Sequence, residues 1–144
     1  APADAWAAYL RRAYLASASL MAKGARAAAV LGGCSGRLPD AAYAYARNMG
    51  IARHIMDDVR EWRAGARAVS APLLCAWAAG APLGALVQRG LADDADLDMA
   101  RDYVEQLDGA RRAEEAARKY AAQAREALAA LPESGARTAL ETLT

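Results

Sequence analysis

Apolar positions recur every three to four residues from Trp6 through Tyr9, Leu10 and Tyr14 on to Val30 and Leu31. That spacing predicts one long helix behind a cap at Asp4. Gly32 and Gly33 stop it, and Gly36 and Pro39 mark the following turn. Asp40 opens a second helix in which Tyr45, Met49, Ala52, Met56, Val59 and Trp62 share one face, ending near Gly65. Residues 68–88 carry no charge, a length that could span a bilayer. Pro72, Gly80, Pro82 and Gly84 interrupt that stretch, so two short buried helices broken near residues 80–82 are expected rather than a membrane span.

Asp93 and Asp94, with Asp96 and Asp98, suit a helix N-terminus better than a calcium loop, since no EF-hand spacing follows. Met99, Tyr103, Val104 and Leu107 form that helix's apolar face, and Asp108 with Gly109 breaks it. The next helix places Glu114 four residues before Arg118 and Glu115 four before Lys119, which predicts a solvated face of paired charges. Pro132 closes it, and a short terminal helix carries Leu140 and Leu143. No alternating strand pattern and no fixed repeat occurs. The expected fold is all-α, a single helical domain over residues 1–144.

Composition narrows the functional classes. Much of the 56% hydrophobic content is alanine and there is no phenylalanine, which favours helices. A net charge of +1, from 18 basic and 17 acidic residues, argues against a general nucleic-acid binder. Cys34 and Cys75 lack CxxC or Cys/His spacing and are expected as free thiols. The first residue is Ala1, so either removal of an organelle-targeting peptide or simple removal of Met fits the start.

Three stretches carry a family resemblance. Ala16-Ser17-Ala18-Ser19-Leu20, running on to Leu31-Gly32, resembles the Lys-Thr-Ala-Ser-Leu helix of trans-polyprenyl diphosphate synthases. YARNMGIARHIMDDVREW at residues 45–62 resembles the second aspartate-rich helix of that family. Ala100-Arg101-Asp102-Tyr103-Val104, Asp108-Gly109, Tyr120 and Leu131-Pro132 are similar to its closing helices, especially in decaprenyl and solanesyl diphosphate synthases. The resemblance implies a helical bundle like the C-terminal half of the isoprenoid synthase fold. It also implies a place for Mg²⁺, which in such enzymes bridges carboxylates and diphosphate as the allylic bond ionises. Asp57 and Glu61 stand one helical turn apart in that motif, with Asp58 one step around. The same three residues also read as a solvated acidic patch able to pair with Arg60 and Arg63.

Departures from the family pattern cluster where chemistry would occur. Ala16-Ser17 replaces Lys-Thr, whose lysine contacts diphosphate, a contact worth roughly 1.5–3 kcal/mol. Arg53-His54 replaces Phe-Gln, and the Gly-Lys-Pro to Gly-Lys loop is missing after Trp62. His54 is expected to be packed against neighbours rather than to act as a base. No part of the chain resembles the half that carries the first aspartate motif. With that half absent, the faces of Leu20, Val30, Met49, Ile55, Met56, Leu73 and Leu74 need cover from another protein chain, from self-association or from repacking. Two readings follow. One is a non-catalytic, pseudoenzyme-like accessory subunit of a larger, mitochondrial assembly, with no catalytic residues and no cofactor. The other is one chain of a split or heteromeric synthase, in which Mg²⁺ would matter and a partner would supply the first aspartate motif.

Overall fold

The computed structural model describes residues 1–144, and every regular element is helical. α1 (Pro2–Ala13) continues through a π-turn at Tyr14–Ala18 into α2 (Ser19–Leu31). α3 (Leu38–Arg63) is followed by the short α4 (Ala71–Ala78) and α5 (Gly84–Arg89). Then come α6 (Asp94–Gln106), α7 (Gly109–Ala127), one 3₁₀ turn (Leu128–Ala130) and α8 (Gly135–Leu143). No helix is long and apolar enough to cross a membrane; the uncharged stretch forms α4 and α5.

The chain divides into two compact units, residues 1–10 with 54–116 and residues 11–53 with 117–144. In the first, Trp62, Leu73, Leu83, Leu86, Leu91 and Val104 form the core. Each fully buried leucine there is worth roughly 1.5–3 kcal/mol. Asp93 caps α6 by accepting the Asp96 N–H at 2.8 Å, and Arg89 grips the Asp96 carboxylate with two nitrogens. In the second, Tyr45, Ala46, Ala124 and Leu128 are packed by Met49, Leu131 and Leu140, and the Tyr45 hydroxyl donates to the Leu140 carbonyl at 3.0 Å. Here the π-turn comes so close to α3 that a Cβ on Gly50 would stand 2.8 Å from Ala18 Cα.

Several expectations are corrected. α1 begins at Pro2, a residue whose fixed φ suits a first helical position, so Asp4 lies inside the first turn and does not cap it. The predicted first helix runs unbroken from Pro2 to Leu31, but with a π-helical segment, Tyr14–Ala18, set within it. At the break after α6 it is Asp108 that takes the left-handed conformation, φ 52°. Gly109 starts α7 and is needed for contact: a Cβ there would stand 2.4 Å from the Pro72 carbonyl oxygen. On α7, Glu114 reaches Arg63 at 2.7 Å and Glu115 pairs with Arg111, in place of the predicted partners Arg118 and Lys119. Glu114 is therefore largely covered by a tertiary ion pair instead of lying on a solvated face.

Candidate metal and diphosphate site

Asp57, Asp58 and Glu61 occupy the last two turns of α3, in the first unit. Asp57 and Glu61 share a face by their i, i+4 spacing. Asp57 Oδ1 accepts from Arg60 Nη1 at 2.9 Å, the internal pairing expected of an acidic patch. Arg63 does not join it, being drawn to Glu114. Glu61 is exposed, and no ion pair or hydrogen bond engages its carboxylate.

Asp58 does something the sequence reading missed. Its Oδ2 accepts the backbone N–H of Ala71, the first residue of α4, at 2.9 Å. Ser70 holds the N-cap position with extended backbone, yet its hydroxyl makes no capping bond and is buried without a partner. Asp58, thirteen residues earlier, supplies the missing acceptor and places negative charge at the helix N-terminus. The signal available was the shortness of the connection, since residues 64–70 must return α4 directly alongside α3.

That connection takes the place of the loop expected from the resemblance. Gly65 turns it at φ +99°, and Arg67 pairs with Asp94. Beside it, a cleft of about 370 Å³ includes Arg63, Arg101 and Arg111 among its walls. Arg63 is paired with Glu114, Arg111 with Asp108 and Glu115, and Arg101 lies over the Trp62 ring. His54 packs as expected, its ring 5.6 Å from that of Tyr9. In the second unit, Ala16 and Ser17 sit exposed in the π-turn and offer no cation to a diphosphate.

The faces expected to need cover separate into two groups. Leu20 and Val30 are 78% and 56% exposed, as anticipated. Ile55, Leu73 and Leu74 are instead buried, and Met49 and Met56 are half-buried. The short connection accounts for Leu73, because α4 packs into the first unit's core rather than standing away from it. Leu15 and Leu31, 63% and 88% exposed, belong to the uncovered surface and were not anticipated. Both cysteines are free, and burial pushes the Cys75 thiol up to about 11.

No family model matches the chain. Among curated proteins it is 36% identical to the probable mitochondrial hexaprenyl pyrophosphate synthase of Yarrowia lipolytica, over 94% of this chain and 33% of that protein. It is 34% identical to decaprenyl-diphosphate synthase subunit 1 of Schizosaccharomyces pombe, over 94% and 39%. The chain thus spans a third to two fifths of the length of these relatives. It superposes on the apo Arabidopsis medium/long-chain prenyl pyrophosphate synthase with TM-score 0.80 at 29% identity, covering 94% of this chain and 52% of that one. For the decaprenyl diphosphate synthase of Rhodobacter capsulatus the TM-score is 0.81 at 26% identity, covering 94% and 46%. The chain is therefore homologous to the trans-prenyl diphosphate synthases and carries the isoprenoid synthase fold of their C-terminal half.

Proposed function

We propose that this chain is a non-catalytic, synthase-derived helical subunit, an interaction component of a larger assembly. The observation that carries the reading is the Asp58 carboxylate, committed to the N-terminus of α4 at 2.9 Å. Asp57 is already neutralised by Arg60, which leaves Glu61 as the one acidic side chain of the motif with no engagement. Magnesium binds such sites through one or two carboxylates together with substrate phosphates. An exposed glutamate beside Arg60, with no lysine at position 16 to hold the phosphates, meets only the carboxylate part of that requirement. Several losses of this kind leave little stabilisation for charge developing on a departing diphosphate. The fungal relatives with "mitochondrial" in their names support a mitochondrial setting.

The second reading, one chain of a heteromeric polyprenyl diphosphate synthase, is favoured by the relatives themselves, one of which is named as a synthase subunit. In that case Asp57 and Glu61 would hold Mg²⁺, and a complementary set of helices would bring the remaining ligands. Purification from the native source decides between them. Recovery in an assembly without Mg²⁺-dependent prenyl transfer supports the first reading. Co-purification of prenyl transfer activity with the chain defeats it.

A further inference from the structure

We propose that the cleft beside the α3–α4 turn is a binding site for a small carboxylate carried on an apolar body. Its volume is about 370 Å³, within the range that takes a small organic molecule. The walls come from the end of α3, the second half of α6 and the corner into α7, all in the first unit. Arg101 is the group placed to hold the ligand. Its guanidinium lies 5.5 Å from the centre of the Trp62 ring, and a Cβ on Gly65 would stand 3.7 Å from its Nη2. The side chain is thus set between an aromatic face and the turn formed by the short connection.

Half-buried there, Arg101 has five N–H donors, and no oxygen of the chain accepts from any of them. Glu105 follows it by one turn of α6, the spacing at which opposite charges ordinarily meet, yet the two form no ion pair because the guanidinium is turned onto Trp62. The other arginines of the cleft are engaged, Arg63 by Glu114 and Arg111 by Asp108 and Glu115. A planar guanidinium stacked on a ring, with its edge open, is already arranged for the two oxygens of a carboxylate. The remaining walls choose among anions. Glu105 and Asp108 line the cleft and repel a doubly charged phosphate more than a singly charged carboxylate. Trp62, Val104 and Ala110 add apolar wall for the body of the molecule.

The test titrates the purified protein at pH 8 with three probes that share a phenyl body: 3-phenylpropionate, phenyl phosphate, which carries two charges at that pH, and phenethylamine. We expect saturable binding of 3-phenylpropionate, at least ~5-fold tighter than phenyl phosphate, and none of phenethylamine. Arg101→Gln should weaken it at least ~10-fold, the size of one charge-assisted contact, and Arg101→Lys should recover only part of the loss. Glu105→Gln, on an exposed position, should narrow the gap between the two anions. Because Arg101→Gln also removes the stacking on Trp62, a second readout uses the parent protein alone. Its Trp62 indole N–H resonance, identified by exclusion with Trp6→Phe and Trp77→Phe, should shift on addition of 3-phenylpropionate. No binding, equal or tighter binding of phenyl phosphate, affinity unchanged in a folded Arg101→Gln, or a shift confined to Trp6 or Trp77 would each overturn the proposal.

Discussion

Replacing Asp58 distinguishes a carboxylate that holds the fold from one that holds a metal. Its Oδ2 is the partner of the Ala71 N–H, and Ala71 is fully buried. In Asp58→Ala that donor loses its acceptor, which costs about 1–3 kcal/mol for an unmet buried group. Loss of negative charge at the first turn of α4 removes about 0.3–1 kcal/mol more. The sum, roughly 1.3–4 kcal/mol, corresponds to a fall in Tm on the order of 4–13 °C for a chain of this size. Asp58→Asn keeps an acceptor and loses only the charge, so it should cost about 0.5–1 kcal/mol. Glu61→Gln, on an exposed and unengaged side chain, should stay within about 0.5 kcal/mol of the parent. Urea and thermal denaturation followed by circular dichroism, with and without Mg²⁺, give the comparison. We expect the order Asp58→Ala, Asp58→Asn, Glu61→Gln from most to least destabilised, with no effect of Mg²⁺ on any of them. A parent protein stabilised by Mg²⁺ but an Asp58→Ala variant that is not, or an Asp58→Ala variant as stable as the parent, would refute the reasoning.

Two glycines test the packing in opposite directions. Gly109→Ala puts a Cβ 2.4 Å from a backbone oxygen and 3.1 Å from Ala76 Cβ and Val104 Cγ1. An overpacking cost of about 1–3 kcal/mol outweighs the helix gain of about 1 kcal/mol, and the urea midpoint should fall. Gly24→Ala meets only open space and should raise the stability by about 0.5–1 kcal/mol; a rise for Gly109→Ala would contradict the placement of α4 against α7. The Arg89 hydrogen bond holds the Asp96 carboxyl below the usual carboxylate range. With the folded pKa depressed, its stabilisation is present above the unfolded value of about 3.9 and is lost as pH falls through the folded value. Thermal melts of the parent and Asp96→Asn should therefore differ at neutral pH and converge in strong acid; a gap that widens below pH 4 would show the sign to be wrong.

Much of the fold was legible because local chemistry and tertiary structure agree. Gly80 and Pro82 separate two short apolar helices, and Asp93 caps the one that follows. The period of Tyr45, Val59 and Trp62 marks residues that are indeed buried. What escaped the sequence depends on distance in space. Glu114 has Arg118 four residues away but finds Arg63 across the unit, because tertiary packing brings that guanidinium closer than the helix surface does. The π-turn at Tyr14–Ala18 leaves no periodic trace in a run so rich in alanine, and it redirects the face on which Leu15 emerges. Asp58 could be read as a motif member, but not as a cap, since nothing local ties it to a helix thirteen residues on. Homology supplied the aspartate positions; only geometry assigned one of them to holding the fold.

Isothermal titration of the assembly purified from its native source, with an allylic diphosphate and Mg²⁺ together, tests the proposed non-catalytic role most directly. We expect no saturable heat and no incorporation of isopentenyl diphosphate into a longer chain, with Asp57→Ala indistinguishable from the parent. Saturable Mg²⁺-dependent binding that disappears in Asp57→Ala would make this chain a working part of a synthase.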